Sequence, residues 1–248
     1  MQILQKKISE LVTENYVYAS VLHYFGIQFY NFSEYTLEEI CHQKGLESRQ
    51  LIKSLEEAGT EQTNLSEIRN YSIDLIIHYL KRSHYIFVKK KLPYMAKLVE
   101  DLSIEKINNP TLVKDLKTLF PLFVEDFIHH IFEEEETLFR YIEALLMASQ
   151  GDYHTGDLFY KMEKNSIQYF ALDHHTHDDE MRGIRDITNN YELGENPSLH
   201  LKVIFAEFQS LEHDLQIHAK IEDEILFIKA IQLEKLVKEM IKQKTCLN

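Results

Sequence analysis

The sequence predicts an all-α fold: an up-down four-helix bundle preceded by a small helical N-terminal domain. Three observations lead to this prediction. The 248 residues include only 7 glycines and 4 prolines, whereas a fold of many strands needs turn residues about every 8–12 positions. Four long stretches have the apolar spacing of helices. Clusters of turn-forming residues separate these stretches, and short connections place consecutive helices side by side and antiparallel.

Composition limits the class of protein. Lys and Arg number 27 and Asp and Glu number 40, so the net charge is −13. A nucleic-acid backbone demands clustered Lys and Arg, so we expect no nucleic-acid partner. No stretch reaches the roughly 18 consecutive apolar residues of a membrane-spanning helix, so we expect no membrane segment. The two cysteines, Cys41 and Cys246, form no disulfide framework, which is typical of a cytoplasmic protein.

Residues 1–60 are predicted to form the small N-terminal domain. Two short helical pieces come first, at about 3–12 and 16–24. Thr36 and Glu39 have the spacing of a capping box, and Gly45 is a suitable residue to end that helix. A further helix follows and ends at Gly59. The polar stretch after Gly59 is expected to be a linker.

Residues 61–248 are predicted to form the bundle. Its helices are expected at about 67–104, 110–149, 160–191 and 197–242. The breaks between them are rich in Asn, Gly and Pro, the residues typical of turns and helix ends. Pro93 and Pro121 lie inside two of these helices and are expected to kink them.

Four histidines are predicted to point into the bundle, one from each helix: His84, His130, His174 and His218. The helical face of His84, for example, is shared with apolar residues that include Ile77, Leu80 and Phe87. Successive histidines of the four are 46, 44 and 44 residues apart. Nearly equal steps up and down an antiparallel bundle bring each residue back to a similar height. We therefore expect all four imidazoles to lie in one layer.

Two of the four histidines have a glutamate on the same face. His130 is followed by Glu134 and His218 by Glu222, and in both cases Leu-Phe follows at positions +8 and +9. The i, i+4 spacing stacks the two side chains so that both can reach one ion. A buried glutamate is costly unless it is paired or bound to a metal, so this repeat predicts a metal site.

Four imidazoles and two carboxylates are too many donors for one tetrahedral zinc. They fit two iron ions bridged by Glu134 and Glu222, although affinity order alone leaves manganese and zinc open. Two octahedral ions keep positions for an oxo or hydroxo bridge and for an exogenous molecule, which implies O₂, NO or peroxide chemistry. His177, one turn beyond His174, is either an auxiliary ligand or a residue of the adjacent layer.

The acidic residues around this layer have two expected roles. Asp126 and Asp173, adjacent to the predicted ligand layer, are candidates for orienting imidazoles or for carrying protons. Glu133, Glu135 and Glu136 are most simply a solvated face.

The residues His84, His130…Glu134, His174 and His218…Glu222 resemble the signature of a hemerythrin-like cation-binding domain. The first 58 residues, through the stretch 24–46, resemble the small N-terminal domain of the repair-of-iron-centres proteins. The resemblance implies a di-iron protein linked to the repair of iron–sulfur clusters after oxidative or nitrosative stress. Its implied partners are iron–sulfur proteins or the gases O₂ and NO. The family usually has a Cys-Cys pair where this chain has Phe29 and Tyr30, so any thiol chemistry at that position is absent.

Two alternatives to repair stay open at this point. One is a reversible O₂ or NO carrier or sensor, and the other is an iron storage or buffering protein or a zinc-filled structural bundle. The N-terminal module favours repair, because a simple carrier needs only the bundle, and such a module could pair chains into a homodimer. A carrier predicts a dry apolar pocket, whereas repair predicts a polar route from the surface to the metal.

Overall fold

The structure is a computed structural model. It describes residues 2–59, 64–104, 107, 109–152, 156, 158, 160, 162, 166–177 and 179–246. Of residues 2, 173–177 and 244–246 it describes the backbone alone. Within these ranges the regular structure is helical, apart from one isolated β-bridge between Lys7 and Thr36. The all-α prediction is therefore confirmed.

The chain divides into two compact units. The first combines residues 1–63, 93–118 and 185–211, and the second combines residues 64–92, 119–184 and 212–248. The first unit thus contains the predicted N-terminal domain together with two further segments. The predicted domain boundary between residues 60 and 61 stays a prediction.

Short helices make up the N-terminal part of the first unit: Ile8–Glu14, Val17–Tyr24, Leu37–Lys44 and Ser48–Glu57. The predicted capping box is confirmed, because Thr36 Oγ1 accepts from the Glu39 N–H at 3.2 Å and a Glu39 carboxylate oxygen accepts from the Thr36 N–H at 2.7 Å. Gly45 ends this helix in the left-handed conformation at φ 65°, which costs glycine no steric strain.

Phe29 and Tyr30 are packed aromatic rings. Phe29 is 1% exposed. The Tyr30 hydroxyl donates to Asp101 Oδ2 at 2.5 Å, and its ring stacks on His200 with 4.1 Å between ring centroids. Burial, followed by the hydrogen bond and charge of Asp101, raises the pKa of Tyr30 far above its ordinary value. Phe29 and Tyr30 therefore contribute packing and a hydrogen bond at this position.

Three of the four long helices share one construction, in which a π-helical turn interrupts an α-helix. The first runs through Ile73–Ile86, Phe87–Lys91 and Leu92–Glu100, the second through Pro110–Glu133, Glu134–Phe139 and Arg140–Ser149, and the last through Leu199–Ile221, Glu222–Leu226 and Phe227–Cys246, where the middle range is the π turn in each case. Pro93 is the second residue after the first π turn. The wider turn suits a residue that has no N–H and that clashes with the carbonyl four positions before it.

The third predicted helix, 160–191, is shorter than expected. The structure gives Ile167–His177 and then a separate short helix, Arg182–Ile187. The chain next passes through three successive left-handed residues, Asn189, Asn190 and Tyr191, a conformation that cannot continue a right-handed helix. The first predicted helix is also divided, into Leu65–Ile68 and a helix that begins at Ile73.

Helical segments that are distant in sequence build the apolar core of the second unit. In it Phe227–Cys246 packs against both Arg140–Ser149 and Ile167–His177, and Ile73–Ile86 packs against the π turn Glu222–Leu226. Its fully buried members include Leu80, Phe139, Leu145 and Leu226. These contacts make the unit a helical bundle, while the up-down order of its helices stays a prediction. None of the helices among the described residues has the length and apolar character needed to cross a membrane.

Candidate metal centre

The predicted ligands lie where the long helices of the second unit change from α to π geometry. Glu134 and Glu222 are the first residues of their π turns, and each is four residues after its histidine. His84 is three residues before the π turn of the first long helix. π turns are rare in proteins and occur often at functional sites. Here a π turn is present in each long helix whose predicted ligand side chains the structure describes.

Four of the predicted ligands converge on one point. Each of His84, Glu134, His218 and Glu222 offers a donor atom, and these four atoms all lie within 4.8 Å of one another. The two Nε2 atoms of His84 and His218 are 3.0 Å apart. His84 Nε2 is 3.4 Å from Glu134 Oε2, and His218 Nε2 is 3.3 Å from Glu222 Oε1. Helices distant in sequence therefore direct their donors to a single small volume.

These separations fit donors that share an ion. Two nitrogen donors, each about 2.1 Å from one ion and at right angles to each other, lie about 3.0 Å apart. The set is also costly without an ion, because His84 is 2% exposed, Glu134 7% and Glu222 1%, and buried carboxylates require compensating charge. The residues present therefore fit a metal ion, which can bind to this His/Glu group.

His130 adjoins the same group through Glu134. Its Nε2 is 3.4 Å from Glu134 Oε1 and 3.7 Å from Glu180 Oε1, and its side chain is 32% exposed. The two oxygens of Glu134 thus face different histidines, Oε2 towards His84 and Oε1 towards His130. Glu134 therefore lies between His84 and His130.

Two other predicted ligands lie outside the described side chains. His174 and His177 belong to the helix Ile167–His177, but only their backbone is described. Their assignment as ligands stays a prediction, as does any role of Asp173. Asp126 is exposed, and His129 is exposed beside Glu133.

Two carboxylates beside these histidines were not predicted from the sequence. Glu135, expected on a solvated face, accepts a hydrogen bond from His84 Nδ1–H with 2.8 Å between Nδ1 and Oε1. Glu180 lies next to His130, as described above. For Glu135 a signal was present in the repeat, because both halves carry an acidic residue at position +5 from the histidine, Glu135 and Asp223. For Glu180 the sequence offered no comparable signal.

The carboxylates control the protonation of the histidines. Burial by itself lowers the pKa of His84 and His130, but the hydrogen bonds and negative charge of Glu134 outweigh it. The net effect raises the pKa of His84 above its ordinary value and raises the pKa of His130 to about 9. Burial likewise raises the pKa of Glu134, but His130 and His84 hold it well below the usual range of a carboxyl. Without an ion the site therefore retains protons that a metal must displace.

No protein-family model matches the chain. The chain is similar to curated proteins named iron-sulfur cluster repair protein ScdA. It is 20% identical over 228 residues to the protein of Staphylococcus haemolyticus (strain JCSC1435), and 22% identical to those of two strains of Staphylococcus epidermidis, RP62A and ATCC 12228. Each match covers 90% of this chain and 96% of the relative. The predicted resemblance to the iron–sulfur cluster repair proteins is therefore confirmed as sequence similarity over nine-tenths of the chain, at 20–22% identity.

Proposed function

We propose that this chain is a non-haem di-iron protein that takes part in the repair of iron–sulfur clusters damaged by oxidative or nitrosative stress. One observation carries the proposal: donor atoms of His84, Glu134, His218 and Glu222 meet within 4.8 Å in the interior of a helical unit. The names of the similar proteins supply the repair context. The partners would be iron–sulfur proteins, with O₂ or NO as small ligands.

The donor set supports iron. Imidazole and carboxylate donors, without thiolate, are the ligands of non-haem iron sites, although zinc and manganese accept them too. Bound iron would supply one-electron chemistry towards O₂ and NO. The chain's own contribution is to hold the donors in a buried group that excludes most water and to keep acidic side chains at its edge.

The orientation of Glu134 supports two ions. Its two carboxylate oxygens approach His84 and His130 separately, each at 3.4 Å. A carboxylate that presents one oxygen to each of two histidines is suited to bridging two metal ions. Glu222, predicted as the second bridge, lies at 3.3 Å from His218.

The edge of the site favours repair over reversible gas binding. A carrier requires a dry apolar pocket around its open position, whereas His130 is 32% exposed and Glu180, beside it, has a side chain that is 23% exposed. Glu135, on the other histidine, has a side chain that is 36% exposed. Charged groups therefore connect the buried donors with solvent, which suits exchange with a partner protein.

The experiment combines metal analysis with a repair assay. Protein loaded anaerobically with Fe(II) should hold about two iron per chain and, after exposure to air, absorb in the near ultraviolet. It should also restore activity to an iron–sulfur enzyme inactivated by NO, whereas Glu134→Ala should not. Stoichiometric zinc without such absorption would exclude the redox function. If wild type and Glu134→Ala restored the enzyme equally, repair would not depend on this site.

A further inference from the structure

Both ring nitrogens of His84 are engaged. Nε2 belongs to the donor group, and Nδ1–H donates to Glu135 Oε1 at 2.8 Å. The ring is 2% exposed and lies parallel to Phe139, with 5.7 Å between centroids and 8° between planes. Packing on one side and a hydrogen bond at Nδ1 therefore hold the ring so that Nε2 faces the donors.

A neutral imidazole carries one proton, and the position of that proton decides which nitrogen can bind a metal. An acceptor at Nδ1 keeps the proton there and leaves the Nε2 lone pair available. When the acceptor is a carboxylate, it also raises the basicity of the ring as a ligand. Glu135 is placed to do both for His84.

The arrangement at His218 is different. Its Nε2 also belongs to the donor group, but its Nδ1 is buried, and no described residue accepts a hydrogen bond from it. Hydrogen-bonded support at Nδ1 is therefore a specific feature of His84 within the described part of this group.

The sequence repeat adds an independent observation. Glu135 directly follows the predicted ligand Glu134, and in the second half Asp223 directly follows Glu222. Both acidic residues lie in π turns, and Asp223 Oδ1 is buried. If position +5 of the repeat were simply on a solvated face, the carboxylate oxygen of Asp223 would not be buried there.

We propose that Glu135 is a positioning residue for the metal centre, which fixes His84 in the tautomer that presents Nε2 to the ion. The proposal rests on the metal site of the proposed function. It assigns a role to a residue that helical periodicity alone had placed on the solvated face of its helix.

The test compares the variants Glu135→Ala and Glu135→Gln with the matched control Glu136→Gln. Glu136 is the next residue, and it pairs with Arg140 at 2.9 Å instead of with a histidine. The affinity for Fe(II) alone is measured by chelator competition without oxygen. We expect Glu135→Ala to weaken binding by about 10–100-fold. Glu135→Gln should weaken binding less, because its amide oxygen can still accept from Nδ1–H, and Glu136→Gln should bind as the wild type does.

A spectroscopic measurement separates positioning from a general structural effect. In the diamagnetic zinc-loaded protein, the Nδ1–H proton of His84 is assigned through its proximity to Phe139. We expect it to exchange slowly with water in the wild type and in Glu135→Gln, and to exchange rapidly in Glu135→Ala.

The outcomes distinguish this proposal from the proposed function. If the wild type binds no metal, the metal site itself is wrong. If the wild type binds metal and Glu135→Ala binds it as tightly, with an equally protected Nδ1–H proton, the site stands and the role of Glu135 is overturned.

Discussion

His84 Nε2 and His218 Nε2 lie 3.0 Å apart, although 134 residues separate the two histidines. Two imidazole nitrogens at this distance cannot both present lone pairs to each other, so without an ion one of them must carry a proton. A metal ion satisfies both at once. It would therefore join the helix Ile73–Ile86 to the end of the helix Leu199–Ile221. Metal binding should consequently stabilise the folded chain.

Glu222→Gln tests this coupling, because it removes a charged donor and keeps the shape of the side chain. Metal at 100 times its dissociation constant stabilises a folded protein by about 2.7 kcal/mol. We expect this gain in the wild type and the loss of most of it in Glu222→Gln, measured by thermal unfolding with and without metal. The control is Glu224→Gln, an exposed partner of Arg69, which should gain as the wild type does. An equal gain in Glu222→Gln would remove Glu222 from the ligands.

Metal affinity should depend on pH well above the ordinary range of histidine. Glu134 holds the pKa of His130 at about 9 in the metal-free protein despite burial, so at neutral pH an ion must displace that proton. We expect the apparent affinity to rise steadily from pH 6.5 to about pH 9. Calorimetry in buffers of different ionisation enthalpy measures the protons released. In His130→Asn the release should fall, whereas an affinity independent of pH would contradict the assignment of His130.

The stability of the metal-free protein should change with pH in the opposite direction. The folded pKa of His130 lies above its unfolded value of about 6.5, so its contribution is fully present below about pH 6.5 and is lost as the pH rises through about 9. The raised pKa of His84 acts in the same direction. We expect the melting temperature without metal to fall between pH 7 and pH 9.5, and to fall less in His130→Asn. A flat profile in the wild type would refute this linkage.

A buried hydrogen bond elsewhere in the second unit provides a test of stability without metal chemistry. The Tyr141 hydroxyl donates to Glu234 Oε1 at 2.6 Å, and Glu234 is 5% exposed. Tyr141→Phe removes a donor from a buried carboxylate, which costs about 1–3 kcal/mol. Denaturant unfolding measures the loss, and metal content should not change, because neither residue belongs to the donor group. Tyr169→Phe, at a residue that is 67% exposed, should have little effect.

The inward direction of the histidines could be predicted because helical periodicity is a local property. The apolar residues around His84 placed it inside, and it is 2% exposed. His78 of the same helix lies on a different face by the same periodicity, and it is exposed. His130 was also predicted to point inward, and it is only half-buried because it lies at the solvent edge of the group.

Periodicity failed where the helix is not an α-helix. Glu135 was placed on a solvated face because an α-helix turns about 100° from one residue to the next. The π turn that begins at Glu134 adds a residue to the turn, and Glu135 reaches His84 on another helix. The predicted end of the third helix was too late for a related reason, because the left-handed run from Asn189 to Tyr191 is a backbone conformation that the apolar pattern does not encode.

The sequence by itself determined the helical class, the inward direction of His84 and His218, and the two His-x-x-x-Glu pairs, because each depends on residues that are close along one helix. Only the tertiary structure decided which atoms meet: His84 with His218, the two oxygens of Glu134 with different histidines, and Glu135 with His84 Nδ1. Distances between helices depend on how their side chains interlock across the core. That packing is a property of the whole unit and cannot be read from the spacing within any one segment.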